Sequence, residues 1–207
     1  IHIPIYEYEE DLNTELSRDK KKEIIELLTN HNHFYSLQEL NEITDKLHQA
    51  CRKGDIDLIK IYLSATIQSE SKDLTFKIDK TNKTASLFTI NDRKADCINI
   101  PRSIQHESEE YLITSICWIG NDFYNLRTII FDEDSAVTTI YPRSFSDSDI
   151  IEIYFPKSLK ELKEGWCNGA DRLEKIIIPP SNDQFVFKEN KYLLGKSDNN
   201  NDEFDIL

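Results

Sequence analysis

The sequence predicts an α+β chain in which a helical N-terminal segment is followed by a β-solenoid built from short parallel strands. The main observation is an apolar strand pattern that recurs at a nearly constant interval, as Ile129-Ile130-Phe131, Ile153-Tyr154-Phe155 and Ile176-Ile177-Ile178. The second is a proline directly after three apolar runs, at Pro101, Pro156 and Pro179, which ends strand pairing at the same point in each unit. Each unit is too small to bury its own apolar face, so neighbouring units must stack.

The first segment, residues 1–70, is predicted to be helical. Ser36-Leu37-Gln38-Glu39 forms a capping box, and apolar residues follow it at helical spacing until Gly54. Asp55 then caps a second helix, and a further helix is predicted at about residues 17–29. A polar stretch from residue 64 to residue 73 indicates a linker, which places the domain boundary near residue 70.

Within this segment, Leu47-His48-Gln49-Ala50 and the residues up to Leu63 resemble the helix pair of an ankyrin repeat. The usual threonine-proline pair is replaced by Asp45-Lys46, and the match covers only about 20 residues. Because a single such unit cannot bury its faces, it is either the last repeat of an array that lies upstream or a helical cap.

In the second part, residues 71–207, alternation along each strand separates the inner from the outer side chains. Strands are predicted at about residues 127–131, 151–155 and 174–178, stacked in parallel, with Phe131, Phe155 and Ile178 in one buried column. The predicted inner residues are Ile129, Phe131, Ile153, Phe155, Ile176 and Ile178. The predicted outer residues are Thr128, Ile130, Glu152, Tyr154, Lys175 and Ile177. A degenerate copy at Ile98–Ile104 precedes them, separated from the next unit by an insertion, residues 105–112.

The repeated pattern, I-x-x-I followed by L-x-x-I-x-[IF]-P, resembles the leucine-rich repeats of the surface antigen BspA-like family, which is common in protist genomes and some bacteria. The similarity covers roughly residues 74–207, and the stretch Phe185–Leu194 resembles a hairpin that recurs in that family. The middle segment of the units departs from the family pattern, with Trp166-Cys167 in one unit. The resemblance implies a leucine-rich-repeat solenoid and a role in protein interaction or adhesion.

Composition narrows the class of partner. The formal net charge of −13 argues against nucleic acid as a partner, because the phosphates of nucleic acid require clustered lysine and arginine.

The four cysteines lie far apart without a C-x-x-C pair, so buried, reduced and unbridged thiols are expected, which favours a cytoplasmic location. No apolar stretch approaches the length of a membrane span, and no membrane contact is expected from this fragment.

The sequence begins at Ile1 and contains no methionine, so we expect it to be an excised segment of a longer protein with both termini missing. On that expectation the cellular location, the full number of repeats and the oligomeric state stay open, and a cell-surface location is the alternative to the cytoplasm.

Candidate metal and nucleophile sites are outweighed by structural explanations. His48 and Cys51 lie three apart in sequence on one helix face, close enough for the imidazole to lower the thiol pKa, but a buried helix-pair cysteine fits the pattern better. His31-Asn32-His33 offers two metal ligands without a third nearby. Residues 198–203 imitate the oxygen spacing of a calcium loop but carry Glu203 where such a loop needs glycine.

Three further motifs lie in predicted turns. Asp132-Glu133-Asp134 and Asp147-Ser148-Asp149 are paired carboxylates suited to acid–base chemistry, but solvated acids are ordinary in such turns. Asn82-Lys83-Thr84 is an N-glycosylation sequon in the turn of a hairpin predicted from Leu74 to Ile90. We therefore predict no catalytic, cofactor-binding or metal-binding residue, and we predict that the protein is not an enzyme.

The predicted function is a non-enzymatic protein–protein interaction module, a repeat scaffold whose protein partner is unknown. A cell-surface adhesin or surface antigen with an extracellular leucine-rich-repeat solenoid is the alternative. The predicted partner-binding residues are the six outer side chains, because apolar residues aligned on adjacent strands form a stripe typical of interaction sites: Thr128, Ile130, Glu152, Tyr154, Lys175 and Ile177.

Overall fold

The computed structural model describes residues 16–30, 47, 49–68, 73–117, 125–189, 192–196 and 205–206. The chain divides into two compact units, residues 1–65 and 66–207. Some of the sequence predictions concern residues outside these described ranges. They are the capping box that begins at Ser36, the residues Asp45-Lys46, the pair His31–His33, His48, and the calcium-loop-like residues 198–203.

The first unit is helical. Helix α1 spans Arg18–Asn30 and helix α2 spans Ile56–Leu63, and residues 49–53 are helical as well. Gly54 ends the earlier helix with a φ of +66°, and its N–H donates to the carbonyl of Cys51 at 3.1 Å. Asp55 caps α2, as predicted, because its side chain accepts a hydrogen bond from the Leu58 amide at 3.1 Å.

Apolar residues at helical spacing form the core of this unit. The buried members are Ile24, Leu47, Ala50, Cys51, Leu58, Ile59, Tyr62 and Leu63. Lys60 of α2 lies 3.8 Å from Glu23 of α1 in an exposed ion pair. Within the described residues, no helix is both long and apolar enough to cross a membrane.

The second unit consists of strands and turns. Its described strands, with β1 beginning at the unit boundary, are β1 Ala65–Gln68, β2 Leu74–Asp79, β3 Thr84–Ile90, β4 Cys97–Ile100, β5 Ser103–His106, β6 Glu109–Ile116, β7 Thr128–Phe131, β8 Thr139–Ile140, β9 Glu152–Tyr154, β10 Glu161–Leu162, β11 Lys175–Ile177, β12 Phe185–Lys188, β13 Tyr192–Gly195 and β14 Asp205–Ile206. They form a seven-stranded sheet in the order β1-β2-β3-β6-β8-β10, with β5 paired to β6, and two smaller sheets.

The four-stranded sheet, in the order β11-β9-β7-β4, contains the three strands that the repeat predicts. All its pairings are parallel, and the register places Ile129 opposite Ile153 and Ile153 opposite Ile176. Strand β4 corresponds to the degenerate copy and pairs with β7 in the same way. Backbone bonds recur at the same interval, from the Ile151 amide to the Arg127 carbonyl at 2.8 Å and from the Lys175 amide to the Ile151 carbonyl at 3.0 Å.

The inner column is buried at its centre and open at its end. Phe131 and Phe155 are 7% and 4% exposed, as predicted. The prediction that Ile178 is equally buried is wrong: Ile176 and Ile178 are only half-buried. The reason is that β11 is the terminal strand of its sheet, so among the described residues it has a neighbouring strand of that sheet on one side only.

The middle segments of the units look irregular in sequence, yet their backbone repeats. Arg143 and Gly165 occupy corresponding positions in consecutive units, and both have left-handed backbone angles, with φ of +63° and +73°. Asp147 and Gly169 repeat this at +52° and +76°. Hydrogen bonds join the two turns, from the Arg143 amide to the Gly165 carbonyl at 2.9 Å and from the Asp147 amide to the Asn168 carbonyl at 3.0 Å. A conformation that favours glycine is therefore kept by arginine, which adopts it with strain, and by aspartate, which tolerates it better.

A second set of parallel strands, β6-β8-β10, runs alongside, with Ser115 opposite Thr139 and Thr139 opposite Glu161. These parallel sheets, whose pairing repeats from one unit to the next, fit the leucine-rich-repeat-like fold that the sequence predicts.

All four cysteines lie among the described residues and are unbridged thiols, as predicted, but they are not all buried. Cys51 and Cys117 are buried and Cys167 is half-buried, whereas Cys97 is exposed. Cys97 occupies an outward position at the start of β4, where alternation turns its side chain away from the buried Ile98.

Thiol labelling without denaturant is expected to modify Cys97 first and Cys51 and Cys117 only slowly, because reaction requires an accessible thiolate. Cys167 is also expected to react slowly, since burial raises the pKa of its thiol. The measurement is mass spectrometry of peptides after timed alkylation, with Cys97→Ser as the control. Fast labelling of Cys51 instead would favour a thiol activated by its neighbours.

Candidate functional site

The structure brings all six predicted partner-binding residues onto one face of the parallel sheet, which we call the outer strand face. Pairing of β7, β9 and β11 places Thr128, Glu152 and Lys175 in one column. The same register places the apolar residues in a second column: Ile130, Tyr154 and Ile177. Neighbouring strands lie about 4.8 Å apart, so the side chains of each column are in contact range.

The apolar column is less exposed than the sequence suggests. Ile130, Tyr154 and Ile177 are half-buried, because side chains on adjacent strands shield one another. Among the described residues, the large hydrophobic side chain with the greatest exposure is Tyr192, at 36%. The outer strand face therefore offers part of each apolar side chain to a partner rather than a fully open stripe.

A polar cluster, Glu152 with Tyr154 and Lys175, holds the middle of this face. The Lys175 Nζ lies 3.1 Å from Glu152 Oε1, and the Tyr154 hydroxyl donates to Glu152 Oε2 at 3.0 Å. The same ammonium lies 5.6 Å from the centre of the Tyr154 ring. Both charges are thus satisfied within the protein, whereas the sequence predicted only that Glu152 and Lys175 lie on the outer face.

Hydrogen bonds within this cluster shift the protonation equilibria. The hydrogen bond from Lys175, followed by the one from Tyr154, lowers the pKa of the Glu152 carboxyl. The hydrogen bond to Glu152 raises the pKa of Lys175 in return. The pair therefore stays charged on both sides around neutral pH, although its exposure keeps its contribution to stability small.

Replacing Lys175 with glutamine is expected to move the pKa of Glu152 back up towards the usual glutamate range, because its largest stabilising partner is removed. A carboxyl group with a depressed pKa stabilises the fold at pH values above its unfolded-state pKa, and this stabilisation is lost as pH falls through the folded-state pKa. At neutral pH the variant should therefore lack the stabilisation that Glu152 gives the wild type. Carboxyl-carbon NMR titration measures the pKa directly. A Lys160→Gln variant is the control, and an unchanged Glu152 titration would contradict the cluster.

Two residues that sequence reasoning did not include extend the face onto β4. Cys97 pairs with Thr128 and Asn99 pairs with Ile130, which continues both columns. The Asn99 side chain donates to Asp132 Oδ1 at 2.7 Å, and Asp132 Oδ2 accepts from the Arg102 amide at 3.0 Å. The alternation of Ile98 and Ile100 in the degenerate copy is the signal that could have identified them.

The paired carboxylates have structural roles. Asp134 lies 3.3 Å from the Arg102 guanidinium. Asp149 lies 3.2 Å from Arg127 and 3.6 Å from Arg172. Within the part of the chain that the structure describes, no group of three or more His, Cys, Asp or Glu side chains could hold a metal ion.

Comparison with known proteins finds similarity among solved structures alone. No protein-family model matches the chain, and no curated protein matches it. The chain is similar to the structure of the pneumococcal vaccine antigen PcpA, at 15% identity and a TM-score of 0.40, over 58% of this chain and 39% of that one.

Two further similar structures are described as leucine-rich. A leucine-rich repeat protein from Bacteroides capillosus shares 18% identity, with a TM-score of 0.35, over 55% of this chain and 65% of that one. A leucine rich cell surface protein from Faecalibacterium prausnitzii shares 15% identity, with a TM-score of 0.31, over 58% of this chain and 44% of that one. The chain spans less than two thirds of the length of each of these structures.

Proposed function

We propose that this chain is a non-enzymatic protein–protein interaction module and that its partner binds the outer strand face. In this proposal residues 71–207 are a leucine-rich-repeat solenoid of the BspA-like kind, and residues 1–70 are a helical, ankyrin-like segment. The observation that carries the proposal is the parallel register of β7, β9 and β11, which aligns an apolar column beside a column of paired charges.

The chemistry of the face suits a protein partner. Tyr154 is half-buried and keeps its hydroxyl bonded to Glu152, so it offers apolar ring area beside a polar group that already has a partner. Aromatic residues of this kind are enriched at the centres of interfaces. Because Glu152 and Lys175 are already paired, covering them does not leave an isolated charge without a counter-ion.

The chain as a whole is unsuited to nucleic acid. Its formal net charge of −13 opposes binding to phosphate backbones, and the lysine of this face is neutralised by its own glutamate. The partner we propose is therefore another protein, bound mainly through apolar contact and hydrogen bonds around Tyr154.

The test is a quantitative pull-down that compares the wild type with the double variant Ile130→Ser and Tyr154→Ala. A folded state confirmed by circular dichroism is required for both. The matched control is Tyr192→Ala, which removes an exposed tyrosine from β13, outside this sheet. Partners lost with the double variant and kept with the control would support the face. An unchanged partner list would exclude it and direct attention to the helical segment around residues 47–63.

The second function that we propose to test is that of a cell-surface adhesin or antigen. The similar Faecalibacterium protein is itself described as a cell surface protein. The four unbridged cysteines favour the cytoplasm instead, because exposed thiols such as Cys97 persist more readily in a reducing compartment. Protease treatment of intact cells that express the full-length protein distinguishes the two locations. Digestion of the protein would show that it lies on the cell surface and not in the cytoplasm.

A further inference from the structure

The sequon Asn82-Lys83-Thr84 has no part in the proposed partner surface, and its geometry suits a covalent modification. We propose that Asn82 is an N-glycosylation site, which accepts an oligosaccharide from a lipid-linked diphosphate donor when the chain enters a secretory pathway. The inference is independent of which partner binds the outer strand face.

Asn82 lies in the turn that joins β2 and β3. These strands pair antiparallel, with Asp79 opposite Thr84, so the sequon begins at the tip of the hairpin and ends at its first paired residue. The Asp79 carboxylate accepts hydrogen bonds from the amides of Thr81 and Asn82, at 2.9 and 3.1 Å, and thereby defines the turn. Lys83 completes it with a φ of +54°.

The acceptor nitrogen is at the surface. Thr81, Asn82 and Lys83 are all exposed, and the Asn82 Nδ2 donates to Asp79 Oδ2 at 2.7 Å. Such a hydrogen bond to a solvated carboxylate is readily exchanged for one to water or sugar, since exposed pairs contribute little. A glycan attached to this nitrogen would leave both backbone hydrogen bonds of the turn intact.

The surroundings of the turn are charged and solvated rather than apolar. Lys80 lies 3.2 Å from Glu107, and Lys83 pairs with Glu109, both partners belonging to the neighbouring β5–β6 hairpin. The four side chains are 47 to 66% exposed. A sugar chain over this surface would therefore displace water from polar groups that can bond to its hydroxyls, and it would bury no apolar contact.

The position also leaves the outer strand face open. Strands β2 and β3 belong to the seven-stranded sheet, whereas the face is formed by β7, β9 and β11 of the four-stranded sheet. Because Asn82 is in a turn of a different sheet, its glycosylation is compatible with an extracellular interaction module.

In the reaction, the Asn82 Nδ2 attacks the anomeric carbon of the first sugar. The new nitrogen–carbon bond forms as the bond from that carbon to the diphosphate oxygen breaks. The polyprenyl diphosphate leaves with the bonding electron pair, and one amide proton is released through the transferase to solvent. No oxidant or reductant is required.

The experiment expresses the 207-residue chain behind a secretory signal in cultured eukaryotic cells. One glycan is expected on the secreted protein, seen as a mobility shift that peptide N-glycosidase removes. Asn82→Gln and Thr84→Ala should each abolish the shift, whereas Asn91→Gln, outside the sequon, should keep it. Secreted wild-type protein that carries no glycan would overturn the proposal.

A second variant separates this site from a sequon that the fold cannot accommodate. Gln184→Thr creates a sequon at Asn182, which is 7% exposed. We expect the Asn82 glycoprotein to have the same thermal unfolding midpoint as the unglycosylated chain produced in bacteria, and a glycan at Asn182 to prevent folding and secretion. A lowered midpoint for the Asn82 glycoprotein, or a folded Asn182 glycoprotein, would contradict the structural argument.

Discussion

Replacing Phe155 with alanine is expected to lower the free energy of unfolding by about 3 to 5 kcal/mol, because the ring fills the space between stacked units. Phe155 is 4% exposed, and its ring centre lies 6.5 Å from that of Phe131 in the preceding unit. It meets Trp166 of the following unit edge-on at 5.6 Å. A loss of this size is a large part of the whole stability of a typical domain, which is only marginally stable.

Tyr154→Ala is the matched control for this prediction. Tyr154 is the preceding residue on the same strand, but it points outward and is half-buried. Its removal should cost clearly less, since the neighbouring space is open to solvent and no closed cavity forms. Urea denaturation curves of the three proteins provide the comparison. Equal losses for the two variants would mean that the inner and outer faces have been assigned the wrong way round.

The sequence was sufficient to predict the inner and outer faces because a strand alternates and the repeat supplies three copies of the same pattern. Ile153 and Phe155 are buried and Tyr154 is not, as the alternation requires. The half-burial of Ile178 did not follow from the pattern, because it depends on which strand ends the sheet. That information lies in the topology and not in any one repeat.

The middle turns show why sequence irregularity can hide structural regularity. Gly165 and Gly169 fit left-handed backbone angles, and these positions are predictable from glycine alone. Arg143 holds the equivalent angle in the preceding unit at a cost of about 1 kcal/mol, and no preference of arginine indicates this. Asp147 does so more easily, because aspartate tolerates the left-handed region better than most residues. Hydrogen bonds to the next turn maintain them.

The candidate site was predicted in position but not in electrostatics. Alternation placed Glu152, Tyr154 and Lys175 on one face. It could not show that the lysine and the tyrosine both bind the same carboxylate, because that depends on rotamers and on exact register between two strands. The strand-face binding of a protein partner stays a prediction.

No sequence motif includes Asn182, yet its side chain forms five hydrogen bonds to the backbone. It is 7% exposed, and its Nδ2 donates to the carbonyls of Pro156, Lys157 and Leu159 at 3.4, 3.2 and 2.9 Å. Its Oδ1 accepts from the amides of Gln184 and Phe185 at 2.9 and 2.7 Å. One side chain therefore ties the β12 hairpin to the turn after β9.

Asn182→Ala is expected to lower the free energy of unfolding by about 2 to 4 kcal/mol, because buried carbonyl and amide groups lose their partners together. Asp183→Ala, at the exposed neighbouring residue, is the control and should change stability by less than about 0.5 kcal/mol. Urea denaturation measures both. A change in Asn182→Ala as small as that of the control would mean that water replaces the side chain fully.

Asn182→Asp tests the direction of the hydrogen bonds. The carboxylate keeps the acceptor for Gln184 and Phe185 but faces the carbonyl oxygens of Pro156, Lys157 and Leu159, which it cannot bond while ionised. Burial against these three oxygens favours the protonated form, whereas the two amide hydrogen bonds favour the ionised form. We expect burial and the three oxygens to outweigh the amides, which places the folded-state pKa above the unfolded value. The variant should therefore lose stability as pH rises through the carboxyl range and regain part of it on acidification, relative to Asn182→Ala measured at each pH. Equal stability of the two variants across that range would contradict the expected rise in the carboxyl pKa.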